Sequence, residues 1–484
     1  MKTIILFSRC ELVHLYGMIS PNLEKKFKVI HIGFSKVEVE ILKNKYSIDN
    51  PICFEDEIKR IFKNKSYSKI KTEEIDSLII KESDGRFNLN GAIQYDRSFK
   101  YFSYIENIEL SKIYFHFWKN IIKKHKINFL LHEPTSLFFN HIASLICKSY
   151  NARYITCVQV YGESEINFAI AEGDSGEFTE MKPTSLIQEI DIERVTTFLN
   201  KFRPNSDTFF NAYIKKRSSF FNKLKFSIIS VIKIFIKYSY SRMKLLIKNY
   251  NALDHVEIFH LKSINLFKEI KNHYYYYYRL KYDVSSLEEN YYYYPLHLEP
   301  EAVVLYWGDG LYNNQVKLIE NIAAQIPPDR FLYVKDHPHA GSYRDYDDYV
   351  KIKSIPNVKL LAPVIMGKKL IAKSIGVITI NGTSGFEALL LNKQVYTFGN
   401  SFFNQCSRVN YIANIKDLRN SLYMNRDLKY NDDDELFGFI NLYLNSIHPG
   451  FTDYFINYPK LIGVNEEENS KIVANELTKY FEKF

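Results

Sequence analysis

The chain has few cysteines, no long apolar run and one broad stretch without a single acid. Its five cysteines, Cys10, Cys53, Cys147, Cys157 and Cys406, are scattered and odd in number. No pair has metal-ligand spacing, so buried reduced thiols in a reducing compartment are the expectation. The opening Met1–Cys10 holds only Ile4-Ile5-Leu6-Phe7 as an apolar core, shorter than a signal peptide needs. It reads as the first buried strand of an α/β domain. From Lys215 to Lys248 there are ten Lys or Arg residues and no Asp or Glu. Lys233 and Lys237 break the longest apolar run in this stretch, which excludes a membrane span. Two readings stay open: a basic amphipathic helix lying on an anionic membrane surface, or a solvated helix between domains. No nucleic-acid-binding motif accompanies the charge.

What is present fits an ordinary globular protein. Of 484 residues, 46% are apolar and 25% charged, with a net charge of +9. That length predicts two domains of roughly 200 residues each. The aromatic share, 16% with 38 Tyr and 36 Phe, reads as codon bias rather than a binding adaptation.

Short β-rich runs alternate with helical stretches. Residues 3–7, 28–32, 128–131 and 153–160 read as strands, with a helix over 136–149 completing a βαβ unit. Residues 50–120 look polar and irregular, an insertion or an acceptor-facing elaboration. The tyrosine-rich tract 273–294 suits strands, and the domain junction is expected just before or within it. Beyond it, strands are expected at 303–307, 331–334, 358–361, 376–380 and 394–398. Helices are expected at 315–325, 367–373, 385–391 and 466–484. The fold expected is α/β, two Rossmann-like domains facing across a cleft. The boundaries expected are 1–210, a basic helical linker 211–270, a second domain 271–465, and a closing helix 466–484 that packs back toward the cleft.

Open parallel sheets bind ligands at the carboxyl ends of their strands, and two motifs sit there. Lys335-Asp336-His337-Pro338-His339 follows the strand 331–334. Pro338 stiffens the backbone at His337, and Lys335 and His337 can donate to phosphate oxygens. The alternative is a histidine that caps a turn. Asn381-Gly382-Thr383-Ser384-Gly385-Phe386-Glu387 follows the strand 376–380. Gly382 and Gly385 permit close backbone approach, Thr383 and Ser384 can bind phosphate at a helix N-terminus, and Glu387 can accept from a ribose or sugar hydroxyl. Glu387 can equally be the acid of a capping box on Ser384. About 45 residues separate the two loops, so both can reach one nucleotide.

Together with Pro295–Glu301, Gln315, Tyr333–Pro338, Pro356–Pro363 and Asn381–Val395, these motifs make the chain resemble the capsule polysaccharide biosynthesis family. The likeness is dense over roughly residues 293–405 and weak before 130. It implies a GT-B fold and a cytoplasmic glycosyltransferase of capsule or lipopolysaccharide assembly, including transfer of Kdo and related sugars. The His-Pro and Ser/Thr motifs are also similar to those by which bacterial sialyltransferases and polysialyltransferases hold CMP-linked donors. By that likeness His337, Thr383 and Ser384 contact the donor phosphate. The chain departs from the family at Val303–Gly310, where Asp309 between two glycines reads as a turn former, with a local specificity or catalytic group as the alternative.

The first domain is expected to supply the acceptor side and the catalytic base. Glu133, in Leu131-His132-Glu133-Pro134-Thr135-Ser136 after a strand, can act as general base or stabilise a helix N-terminus. Asp174 in Glu172-Gly173-Asp174-Ser175-Gly176 is a second candidate, although that run is also turn chemistry. His132 and Glu163 are weaker ones. No metal and no cofactor is expected: Asp345-Tyr346-Asp347 and Asp432-Asp433-Asp434 read as solvated loops, not as metal sites after buried strands. The partners expected are a nucleotide-sugar donor, CMP-linked in the first instance, a glycan or glycolipid acceptor, and an anionic membrane surface through Lys215–Lys248. A sugar-nucleotide 2-epimerase of like fold and a non-catalytic assembly protein are the alternatives. Ala388 after Glu387, where epimerases pair two Glu, speaks against the former.

Overall fold

A computed structural model describes residues 1–164, 166–173, 176–181, 190–204, 228–248, 252–262, 265–283, 286–299, 302–337, 344–425, 434–454 and 463–484. Asp174, Pro338, His339 and the part of the basic stretch before residue 228 lie outside them. The chain divides into two compact units. The first comprises Met1–Lys182, Tyr250–His255 and Tyr443–Phe484, and the second Pro183–Asn249 and Val256–Leu442.

The first unit is built on strands β1 (Thr3–Ser8), β2 (Lys28–Gly33), β3 (Ile52–Cys53), β4 (Phe129–Leu131), β5 (Arg153–Val160) and β6 (Asn167–Glu172). The second holds β7 (Tyr291–Pro295), β8 (Phe331–Lys335), β9 (Val358–Leu361), β10 (Gly376–Thr379), β11 (Gln394–Thr397) and β12 (Val409–Tyr411). A last strand, β13 (Ile447–Pro449), returns to the first unit. The sheet orders are β13-β6-β5-β4-β1-β2-β3 and β12-β11-β10-β7-β8-β9. The second sheet is parallel throughout. In the first, β6 and β13 run antiparallel at one edge. Both sheets are Rossmann-like: each starts in the middle, grows to one side, then returns to pair a later strand with the first. That reversal, β1 beside β4 and β7 beside β10, opens a crevice at the strand carboxyl ends.

Local chemistry accounts for these elements. β1 is buried along its whole length, as a central parallel strand covered on both faces must be. Ser35 with Glu38 and Ser103 with Glu106 form capping boxes at the helices Lys36–Tyr46 and Tyr104–His125, each satisfying otherwise orphaned amides. The closing helix Glu466–Glu482 packs on Leu12–Leu23 within the first unit. Phe481 at its end meets Phe27 and Phe129 at ring distances of 5.8 and 4.6 Å.

Four expectations fail. Residues 50–120 are no irregular insertion but contain the helices Phe54–Lys63, Thr72–Glu82, Leu89–Tyr95 and Tyr104–His125. Their polar residues are the solvent faces of amphipathic helices whose Phe54, Ile75, Phe115 and Trp118 are buried. The expected strand 303–307 is a short helix, Ala302–Leu305, followed by a turn in which Asp309 is left-handed at φ 53°. Tyr274–Tyr278 close a helix, Leu266–Tyr278, whereas Tyr291–Tyr294 form the central strand. The run Asp345-Tyr346-Asp347 is loop only at Asp345, which pairs with Lys268 at 2.8 Å, while Tyr346 and Asp347 open the helix Tyr346–Ser354.

That central strand shows how tyrosine can fill a parallel sheet. All four rings are buried, and Tyr291 stacks on Tyr333 at 3.9 Å. The Tyr291 hydroxyl donates to the Leu370 carbonyl at 2.8 Å and Tyr294 to Gln315 Oε1 at 3.3 Å. Buried phenols with satisfied tips stabilise a core much as phenylalanine does.

Candidate functional site

In the second unit the reversal brings the end of β7 against the end of β10. Just after β7, His297 Nε2 lies 3.2 Å from Thr379 Oγ1. That hydroxyl donates to the Asn381 carbonyl at 3.0 Å, so the imidazole must donate through Nε2 and keep its lone pair on Nδ1. Burial, reinforced by Arg344, pushes the imidazole down to about 4, so it is neutral at physiological pH. Gly382 sits over this ring with φ 128°. A side chain there would be strained, and would start 3.2 Å from His297 Cε1. Gly382 is also the N-cap of the helix Thr383–Leu390, which has no side-chain cap. The first amides of the helix therefore meet no side-chain cap, and their dipoles favour an anion there.

Cations surround this helix. Lys335, at the end of β8, is buried; burial pulls its ammonium down to about 8 against the influence of Asp336 and Glu387. Lys368 is buried in the helix Gly367–Lys373, with its ammonium 3.7 Å from the centre of the Phe202 ring and bonded to the Phe202 carbonyl. Glu387 faces both charges, yet burial holds its carboxyl up at about 7. It makes no capping box with Ser384, because the N-cap is Gly382, two residues before Ser384. Arg344, also buried, donates to the His297 carbonyl at 2.8 Å and pairs with Glu299 at 3.2 Å. Gln315 clamps the same segment: it accepts from the His297 amide at 2.8 Å and donates to its carbonyl at 2.9 Å. Asp336 accepts from the Tyr349 hydroxyl at 2.6 Å.

The first unit carries different chemistry at its own reversal. Arg9 follows β1, and His132 and Glu133 follow β4. Arg9 Nη2 lies 2.8 Å from one Glu133 oxygen and 3.1 Å from the other. Burial raises the Glu133 carboxyl, while Arg9, Arg97 and Ser136 hold it down. His132 stacks on Phe7 at 4.2 Å, and its Nδ1 lies 2.7 Å from the Phe7 carbonyl. That bond places the proton on Nδ1. The remaining lone pair, on buried Nε2, meets no donor among the described residues and lies 3.8 Å from Glu133 Oε1. The Ser8 and Thr135 hydroxyls there are also buried without a partner among the described residues. Buried acceptors and hydroxyls left this way have the makings of a polar binding site.

The structure thus groups Lys335, Gly382 and Glu387 in one unit and places Glu133 in the other. Thr383 is exposed and Ser384 half-buried at the helix start. Gly385 is buried, and a side chain there would start 2.6 Å from Phe403, so its space belongs to packing. His337 is half-buried, with its amide bonded to Asp336 Oδ1 at 2.9 Å. Asp174 and Pro338 lie outside the described residues. Sequence reasoning missed Arg9, His297, Arg344 and Lys368 as site residues. A signal existed for two: Arg9 and His297 each follow a strand within two residues. Lys368 and Arg344 gave none, being cations among many. Among the described residues no three His, Cys, Asp or Glu side chains gather as metal ligands.

A family model described as capsule polysaccharide biosynthesis protein matches residues 208–407. The resemblance read from the motifs is borne out over that segment, which includes both loops of the second unit. No curated protein matches the chain. Among solved structures, the UDP-GlcNAc 2-epimerase of Methanocaldococcus jannaschii with UDP-GlcNAc and UDP is similar at 13% identity and a TM-score of 0.29. The match covers 92% of this chain and 99% of that one. The β Kdo 2,4 transferase KpsC of Thermosulfurimonas dismutans is similar at 13% identity and TM-score 0.32, over 67% of this chain and 82% of that one. Its β Kdo 2,7 transferase counterpart gives 11% and 0.31, over 74% and 88%. These likenesses are slight, and the architecture rests on the strand order itself.

Proposed function

We propose, from the match of residues 208–407 to the capsule polysaccharide biosynthesis family, that this chain is a glycosyltransferase that takes a sugar from a nucleotide donor. The donor of choice is a CMP-linked 2-keto acid sugar, Kdo or a nonulosonic acid. The observation that carries the reading is the uncapped helix N-terminus at Gly382 beside buried Lys335 and Lys368. In this reading residues 271–465 bind the donor and residues 1–210 the acceptor.

The donor phosphate sits at the amides that follow Gly382, with Lys335, Lys368 and His337 as further donors. Glu387 accepts from a ribose or sugar hydroxyl. Glu133 takes the proton of the acceptor hydroxyl as its oxygen bonds to the anomeric carbon. The bond from that carbon to the phosphate oxygen breaks, and CMP leaves as an anion stabilised by the helix and the two lysines. Arg9 orients the Glu133 carboxylate. Burial has already raised that carboxyl, which brings its basicity nearer to that of a working base at neutral pH.

The test is to incubate the purified chain with CMP-Kdo, CMP-sialic acid and UDP-GlcNAc, with and without a glycan acceptor. Acceptor-dependent release of CMP supports the proposal. Conversion of UDP-GlcNAc to UDP-ManNAc without acceptor would make the chain an epimerase instead. His337→Ala and Ser384→Ala should both weaken donor binding while the chain stays folded, and full affinity in both would remove the assigned phosphate site.

A further inference from the structure

The helix Ile228–Ile247 belongs to the second unit and carries two apolar faces. One is used: Ser241 is buried and Ile234, Tyr238 and Leu245 are half-buried, on the side that packs against the helix Leu266–Tyr278. At about 100° per residue, the opposite side gathers Ile232, Phe235, Ile236, Met243, Leu246 and Ile247, with Tyr240 at its border. All are half-exposed or more, and Leu246 reaches 86%. They cover an arc of about 140°, as wide as the buried stripe of a surface helix ought to be, but turned outward.

Charge borders the arc on both sides. Lys233, Lys237, Lys244 and Lys248 line one flank and Arg242 the other, while the helix holds no acid. Lys244 and Lys248 pair with Glu257 at 2.6 and 2.8 Å. Lys233 and Lys237 are exposed. Arg242 lies 4.8 Å over the Tyr238 ring. No helix among the described residues is long and apolar enough to cross a membrane, which leaves a surface rather than a span as the place for such a face.

We infer that this helix lies in the headgroup layer of an anionic phospholipid bilayer. Its outward apolar arc sits at the acyl boundary, and Lys233 and Lys237 reach the lipid phosphates. Long cationic side chains can bury their stems along the apolar surface and keep the ammonium among the headgroups. The flanks decide between occupants. A second copy of the helix would bring a matching set of cations against the first, whereas an anionic surface neutralises them. The inference is independent of the sugar chemistry proposed above.

The test uses the full chain and sedimentation with vesicles of phosphatidylcholine, with or without phosphatidylglycerol. Binding should need the anionic lipid and weaken in salt. Lys233→Glu with Lys237→Glu should lower the partition at least about tenfold. Phe235→Asp with Leu246→Asp should abolish it, with the melting temperature unchanged because both residues are exposed. Equal binding to both vesicle types, or binding that survives the two aspartates, overturns the inference. So does a dimer in light scattering that the aspartates dissociate, since the face would then belong to a second copy.

Discussion

The two crevices of this chain stand on one strand order and hold opposite chemistry. Where β1 meets β4, a buried carboxylate is paired with an arginine beside a histidine kept neutral by burial, whose Nε2 lone pair meets no donor among the described residues. Where β7 meets β10, a glycine opens a helix N-terminus, and two buried lysines surround it with positive charge. The first arrangement suits the handling of a proton on a hydroxyl, the second the holding of an anion. One topology repeated twice can divide a transfer reaction this way, because the strand order fixes where a ligand sits and the first residues beyond each strand decide which ligand it is.

The division can be broken from either side. Glu133→Gln keeps the shape of the first crevice but removes the proposed base, so transfer should fall by about a hundred- to ten-thousand-fold with CMP affinity unchanged by calorimetry. A loss of CMP affinity in that variant would merge the two roles. Lys335→Ala and Lys368→Ala should each weaken CMP binding by roughly ten- to a hundredfold, and Arg9→Lys should leave it alone.

The proposed anion site also has a pH signature. Glu387 gains a negative charge near 7 and Lys335 loses its positive charge near 8, so both steps make the site less positive as pH rises. CMP affinity should therefore fall by about tenfold from about pH 6 to about 9. Glu387→Gln should erase the part of that fall near 7 and leave the part near 8. A flat titration in the parent chain would mean the phosphate lies elsewhere.

The smallest effect concerns stability, and it marks the first unit alone. His448 lies 2.5 Å from Glu180 and 3.1 Å from Glu476, with Lys479 and Lys483 on the far sides of those carboxylates. Burial alone would lower its imidazole, but the two carboxylates raise it above the ordinary value. Its stabilisation is thus complete below the unfolded value of about 6.5 and lost as pH rises through the higher folded value. Thermal melts of the parent chain and His448→Gln should differ by roughly 1–3 kcal/mol near pH 5.5. The gap should shrink as pH rises through the raised folded value of the imidazole. A constant gap would make the histidine a packing residue only.

Much of this architecture was legible in the sequence. β5 and β9 and the helix Gly367–Lys373 match their expected spans, because short β-branched runs and flanking turn residues leave little choice there. The loops after β8 and β10 could be placed as well, since each directly follows a buried strand. What could not be read depends on contacts distant in sequence. Nothing local distinguishes Tyr274–Tyr278, which ends a helix, from Tyr291–Tyr294, which fills the centre of a sheet. The decision comes from neighbours such as Tyr333 and Leu370. Glu387 looked equally suited to capping Ser384, until the left-handed backbone at Gly382 set the helix start. The partnership of Arg9 with Glu133 spans 124 residues, and only the pairing of β1 with β4 brings it about.

A crystal of the chain soaked with CMP tests the division of labour most directly. The account predicts the phosphate within hydrogen-bond reach of the amides that follow Gly382 and of Lys335. A nucleotide bound instead beside Arg9 and Glu133, with the Gly382 helix left empty, would contradict it.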